Sequence, residues 1–217
     1  MPSEIKTIRL PLPFRFGSVN CYLLKSDSGC MLIDTGCANS RARLEKELER
    51  CESLKLIVLT HGDFDHSGNA AYLRKRLGAK IAMHNEDSGM VERGDIFAGR
   101  RKGDFFFRLL ALVLFGFGRS ERFKPDFYLE DGDDLDEYGF EGKVVYMPGH
   151  SRGSIGVVTV GGELFSGDLL IERNGAKRNK IIDDINAAEN SIKKLKRLGI
   201  KTVYPGHGRP FSIEDVV

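Results

Sequence analysis

Apolar residues along this chain gather into short runs of strand length, and polar or glycine-bearing turns close them. Val19-Asn20-Cys21-Tyr22-Leu23-Leu24 reads as a strand, Ser26-Asp27-Ser28-Gly29 as a turn, and Cys30-Met31-Leu32-Ile33 as the returning strand, which ends at Asp34-Thr35-Gly36. Between Arg41 and Cys51, Leu44 and Leu48 recur four apart among charges, the mark of an exposed amphipathic helix. Leu54 to Thr60 is an apolar run of buried-strand length. Ala70 to Leu77 is helical with Gly78 as its stop, and Ala79 to Met83 is a further strand. Strand, helix, strand, helix, strand in this order predicts an α/β arrangement.

Residues from about His84 to Lys124 break the rhythm. They carry Phe105-Phe106-Phe107 and the run Leu109 to Phe115, flanked by Arg100-Arg101 on one side and Arg119 and Arg122 on the other. The run predicts a buried helix, with a lid over a pocket or a dimer contact as the alternative. Strands then resume at Phe127–Leu129, Lys143–Met147, Ile155–Val160 and Glu163–Phe165. A helix over Asn186–Leu198, with Ile192 and Leu195 at helical spacing, ends at Gly199, and Lys201–Tyr204 is a last strand. Two β-rich halves, each followed by helices, suggest a duplicated architecture.

Composition narrows the class without deciding it. A length of 217 residues favours one domain with a sizeable core, and 41% hydrophobic with 29% charged residues is an ordinary globular balance. Lys and Arg number 33 against 31 Asp and Glu, which leaves no electrostatic footprint for nucleic acid or an anionic membrane. The first residues lack the apolar run of a signal peptide, and the stretch Phe105–Phe117, broken by Arg108 and Gly116, is too short to span a bilayer. Cys21, Cys30, Cys37 and Cys51 form no CxxC pair and read as reduced, mostly buried thiols of a cytoplasmic protein. A pairing of Cys21 with Cys30 across the hairpin is the alternative.

The chemistry lies at the strand ends. Of five histidines, His61, His150 and His207 each follow an apolar run, and Asp168 follows Phe165-Ser166-Gly167 in the same way. Loops beyond strand ends converge on the rim of an α/β sheet, where sites form. The densest cluster is His61-Gly62-Asp63-Phe64-Asp65-His66. Carboxylates are almost never buried unpaired, and imidazole with carboxylate is the usual ligand set of zinc and iron. On a compact loop, alternate residues His61, Asp63 and Asp65 turn one way while His66 starts the following helix. The bland alternative for this cluster alone is a solvated acidic turn. His84, followed by Asn85-Glu86-Asp87, reads as a helix start or surface residue and is left out of the set.

Thr60-His61-Gly62-Asp63-Phe64-Asp65-His66 resembles the T-H-x-H-x-D-H signature of the metallo-β-lactamase superfamily. Supporting motifs stand in order: Leu32-Ile33-Asp34-Thr35-Gly36, Pro148-Gly149-His150-Ser151-Arg152-Gly153-Ser154, Phe165-Ser166-Gly167-Asp168 and Pro205-Gly206-His207-Gly208. The resemblance runs from about Asn20 to Pro210. It implies an α/β fold, a four-layer αβ/βα sandwich of two mixed β-sheets flanked by helices, as one domain over residues 1–217 with an insertion at about 85–124. It also implies a binuclear site. His61, Asp63 and His150 would hold the first ion, Asp65, His66 and His207 the second, and Asp168 would bridge them. Asp34 would orient a ligand imidazole, although an aspartate before Thr-Gly also suits a plain turn. Position 63 departs from the pattern, since the superfamily usually has His there. Its flavin-linked di-iron members also carry a carboxylate, so the expected cofactors are two divalent ions, zinc first, with iron or manganese as alternatives.

The resemblance implies hydrolysis of a small ester, thioester, lactone or related acyl compound by a metal-bound hydroxide, with Asp65 as the catalytic carboxylate. Alternatives are an iron-dependent redox enzyme acting on a thiol, persulfide or small oxidant, and a phosphodiesterase or nuclease. A degenerate, non-enzymatic binding protein fits less well, because the late ligands are all intact. Glutathione thioesterases of the glyoxalase II type carry a long C-terminal helical extension, whereas this sequence ends ten residues after His207. A small-molecule substrate is therefore expected, with no nucleic acid and no membrane, and the apolar segment at Phe105–Phe117 is the best candidate for a homodimer surface.

Overall fold

A computed structural model describes residues 4–12, 17–95 and 120–216. The first half builds a six-stranded sheet in the order β1 (Glu4–Pro11), β2 (Ser18–Ser26), β3 (Gly29–Ile33), β4 (Leu54–Val58), β5 (Lys80–Met83) and β6 (Phe127–Tyr128). Strands β1 to β3 pair antiparallel and β3 to β6 parallel. The second half builds a five-stranded sheet. Its strands are β7 (Gly142–Tyr146), β8 (Ile155–Thr159), β9 (Glu163–Gly167), β12 (Thr202–Pro205) and β13 (Phe211–Ser212). Here β9 and β12 form the parallel pair, and β10 (Leu170–Glu172) with β11 (Ala176–Arg178) makes a separate hairpin. The helices are α1 (Arg41–Leu48), α2 (Phe64–Ser67), α3 (Ala70–Leu77), α4 (Asn85–Arg93) and α5 (Ile185–Leu195).

Strand alternation explains the layering. Side chains along a strand point to opposite faces in turn, so a strand covered on both sides reads as continuously apolar. Leu32 of β3 and Ile57 of β4 pack with Leu44, Leu48 and Leu73 of the helices α1 and α3. Their neighbours Met31, Ile33, Leu56 and Val58 face the other way, against Val144, Ile155, Val157 and Phe165 of the second sheet. Beyond that sheet, Val145, Leu164 and Val203 meet Ala188 and Leu195 of α5. The result is helix, sheet, sheet, helix, with the two sheets face to face.

The helix boundaries follow local chemistry. Gly78 closes α3 in the left-handed region at φ 74°, where glycine carries no Cβ penalty. His84 caps α4 by accepting the Glu86 N–H on its Nδ1, and its ring stacks on Tyr146 at 4.5 Å. His84 is thus the helix start that the sequence offered, whereas the pattern did not foresee the β10–β11 hairpin. The cysteine pairing is not formed: the register sets Cys21 opposite Ile8 and Cys30 opposite Lys25, and all four thiols are free. The apolar run Phe105–Phe117, expected as buried helix, lid or dimer contact, lies outside the described residues. Among the described residues, no helix is long and apolar enough to cross a membrane.

Phe165 is the side chain that most directly ties the sheets together. It is fully buried, with the Tyr22 ring at 5.0 Å and the Tyr204 ring at 5.1 Å. Phe165→Ala should cost about 3–5 kcal/mol, the range for deleting a buried aromatic whose site cannot collapse. Urea denaturation of both proteins checks this, with a lowered midpoint at unchanged slope as the expected outcome.

Candidate metal centre

Five loops deliver the polar cluster to one edge between the sheets. The parallel strands β3 and β4 end just before Asp34 and His61, and β9 and β12 just before Asp168 and His207. The loop after β7 brings His150. Asp63 stands at the N-cap of α2, which carries Asp65 and His66 in its single turn. Three groups of side chains come close enough to share an ion: His61, Asp63 and His150; His61, His66 and Asp168; and Asp65, His66 and His207, the ligand atoms of each within 4.8 Å of one another. The alternate residues of the loop therefore do not all turn one way. Asp63 faces His150, with Oδ2 at 3.1 Å from its Nε2, whereas Asp65 faces His207, at 3.4 Å. The helical turn starting at Phe64 separates them.

Each imidazole is held by its other nitrogen. His150 Nδ1 donates to the Ile181 carbonyl at 2.7 Å, and His207 Nδ1 to the Ser18 carbonyl at 2.7 Å. His66 Nδ1 donates to Asp34 Oδ2 at 2.7 Å. Thr60 gives its hydroxyl hydrogen to the same Oδ2 at 2.8 Å, which leaves Thr60 Oγ1 to accept from His61 Nδ1 at 2.9 Å. With hydrogen on every Nδ1, each Nε2 faces the shared space, and in the neutral imidazole it offers its lone pair there. Among the described residues, the buried Nε2 of His61 makes no hydrogen bond, and the buried Nε2 of His66 and Oδ1 of Asp168, 3.3 Å apart, make none to any other group. Buried polar atoms are rarely left so, and unpartnered imidazole and carboxylate atoms facing one another are the donor set that a divalent cation satisfies.

Electrostatics point the same way. Burial opposes charge on His66, yet the carboxylates of Asp168, Asp34 and Asp65 hold its pKa well above the ordinary imidazole range. His207 is likewise penalised by burial and held high by Asp168 and Asp65. Burial pushes Asp65 and Asp168 up, but His66 and His207 win and hold both carboxylates low. The cluster collects positive charge. Protons supply it until the pH passes those raised imidazole values, and a cation must displace them from the same nitrogens.

A family model described as the metallo-beta-lactamase superfamily matches residues 14–207. The chain belongs to the metallo-beta-lactamase superfamily. Among its relatives, the probable metallo-hydrolase YqjP of Bacillus subtilis is 27% identical, covering 96% of this chain and 73% of the relative. The hydroxyacylglutathione hydrolase GloC of Haemophilus influenzae is 30% identical over 70% of this chain and 67% of its own. The acyl-coenzyme A thioesterase MBLAC2 of Bos taurus is 26% identical over 90% and 75%. Of solved structures, a metallo-beta-lactamase family protein from Thermus thermophilus superposes with a TM-score of 0.73 at 25% identity, covering 96% of this chain and 74% of the other. TTHA1623, solved in a di-iron-bound form, gives 0.68 at 28% identity over 94% of each chain. The four-layer α/β sandwich of this superfamily is the fold described above.

Within that superfamily frame, the structure draws all seven residues, His61, Asp63, Asp65, His66, His150, Asp168 and His207, into one cluster. Asp168 reaches His66 through Oδ1 and His207 through Oδ2, both at 3.3 Å. Asp34 is no plain turn residue: its carboxylate accepts from the Thr60 N–H, the Thr60 hydroxyl and His66. A positioning residue of the His207 loop escaped the sequence reading. Asn20 is buried in β2, and its Nδ2 donates to the carbonyls of Pro205 and Gly208, which hold the loop of His207. A lone amide inside an apolar strand was its only signal. Gly206 is glycine for space, since a Cβ there would collide with Asp168 Oδ1 and lie 2.7 Å from His66 Cε1.

Asp34 takes a left-handed φ of 61°, which asparagine also tolerates, so Asp34→Asn isolates the carboxylate. It should lower metal affinity about 10–100-fold, as loss of a partner to a ligand imidazole generally does. Metal content after dialysis against graded chelator measures it, with wild-type retention as the result that would contradict the assignment.

Proposed function

We propose that this chain is a hydrolase of small acyl compounds, thioesters first among them, working with two divalent ions. The observation that carries this reading is the set of four imidazoles, each fixed through Nδ1, whose Nε2 atoms share one space with three carboxylates. In this reading His61, Asp63 and His150 would hold one ion and Asp65, His66 and His207 the other, with Asp168 available to both groups. Such ions supply acidified water near neutral pH and polarise an acyl oxygen.

The chain's own groups do the rest. His61, His66 and His150 are at most 1% exposed, whereas the His207 side chain is 27% exposed, so a substrate enters from the His207 side. Asp65 lies on that side and is the group that carries a proton to the leaving atom. A thiolate, with an ordinary thiol pKa of about 8.5, needs less of that help than an alkoxide does. This favours thioesters, as do relatives named for hydrolysis of hydroxyacylglutathione and acyl-coenzyme A. Glutathione thioesters therefore belong among the candidates.

A second reading rests on ligand count. Each of the two outer groups has two imidazoles and one carboxylate, a set that also suits non-haem iron, and TTHA1623 was solved with two irons. Under it the chain is an iron-dependent redox enzyme acting on a thiol, persulfide or small oxidant.

Metal analysis of the purified chain, followed by assay against acyl-coenzyme A, acylglutathione, lactone, aryl ester and phosphodiester substrates, tests both. Zinc or manganese near two per chain with thioester turnover is expected. Asp65→Asn, assayed at saturating metal because the change also removes a ligand carboxylate, should lower kcat by about 10²–10⁴-fold. Iron without hydrolysis would move the assignment to the second reading, and unchanged kcat in Asp65→Asn would remove Asp65 from its role.

A further inference from the structure

Beneath the first ligand group sits a buried carboxylate that the motifs do not include. Asp87, in the first turn of α4, is 2% exposed. Its Oδ2 accepts from the Gly62 N–H at 3.2 Å and from the Ser151 hydroxyl at 2.6 Å, and its Oδ1 accepts from the Gly153 N–H at 2.7 Å. Gly62 lies between His61 and Asp63, and Ser151 follows His150. Every ligand of the first group is thus one residue from an atom bound to Asp87. Among the described residues, its carboxylate bonds to Gly62, Ser151 and Gly153 and not to Asp65, His66 or His207.

Packing supports the same conclusion independently. A Cβ on Gly62 would stand 2.7 Å from Met90 Cβ, and a Cβ on Gly153 would stand 2.6 Å from Asp87 N and 2.8 Å from its Cγ. Both loops press bare backbone against α4, close enough for a short side chain to bond their N–H groups. Ser151 is itself tied back, since its N–H donates to Ser154 Oγ at 3.0 Å.

We infer that Asp87 is a positioning residue for the first ion: it locks the His61–Asp63 loop to the His150 loop, and so sets the geometry in which the short Asp63 reaches the same ion as two histidines. The inference rests on the two-ion reading above. Asparagine cannot replace the carboxylate, because whichever way its amide turns, an NH₂ meets a backbone N–H of Gly62 or Gly153.

The test is retention of metal by the as-purified full-length chain against graded chelator, counted as ions per chain, with circular dichroism to confirm folding. His150→Ala identifies which ion belongs to the first group. Asp87→Asn should release that ion at a chelator concentration at least about tenfold lower, with retention of the other unchanged. Ser151→Ala, which removes one of three donors, should shift the same ion by less. Retention of both ions as in wild type, or release of both in step, would overturn the inference. If Asp87→Asn does not fold, Ser151→Ala decides, and an unchanged first ion overturns the inference. The wild-type count separates the two readings: a chain with no ion sensitive to His150→Ala sinks the two-ion reading and this inference with it, whereas two ions indifferent to Asp87 sink the inference alone.

Discussion

A carboxylate buried at the end of a strand survives only if donors occupy its oxygens, because removing a charge from water is expensive. Asp34 meets that condition with three donors: the Thr60 N–H, the Thr60 hydroxyl and His66 Nδ1. The condition is reciprocal. Because Asp34 must be satisfied, Thr60 is oriented, and through Thr60 so is His61, while His66 is oriented directly. Two of the four imidazoles thus take their tautomer and direction from one side chain. The neighbouring chain follows: Thr35 binds the His66 carbonyl through both its N–H and its hydroxyl, which fastens α2 to the end of β3.

The other two imidazoles are held by backbone carbonyls from distant segments, Ser18 at the start of β2 and Ile181 ahead of α5. A carbonyl cannot move without its strand or loop, so the site inherits the rigidity of both halves. Asn20 extends this arrangement by gripping the loop of His207 from the first sheet. The centre is accordingly a property of the interface between the sheets. The aromatic packing of Tyr22, Phe165 and Tyr204 is its mechanical support.

Asp63 gives this member of the superfamily its particular character. A carboxylate is shorter than an imidazole, and the loop compensates by close approach. Asp63 Oδ2 comes within 3.4 Å of His61 Nε2 and 3.1 Å of His150 Nε2, while Gly62 lies tight against Met90. A carboxylate here adds negative charge and oxygen character to the first candidate group, a set that would suit harder metals than an all-imidazole one.

Much of this was legible in residues alone. Short apolar runs ending in His61, His150, Asp168 and His207 carry their own meaning, because strand period and turn chemistry are local, and ligand identity is fixed by side-chain type. The same holds for the α3 stop at Gly78 and for the apolar run that marks β4 as a buried strand. What the order of residues could not convey was pairing in space. Asp63 and Asp65 are neighbours in sequence yet serve opposite groups, because one helical turn lies between them. Asp87 and Asn20 look like a surface acid and a stray amide, and only the crossing of α4 and β2 beneath the loops shows what they hold. Hydrogen bonds between residues tens to nearly two hundred positions apart depend on the packing of two sheets, and that packing was decided by tertiary structure.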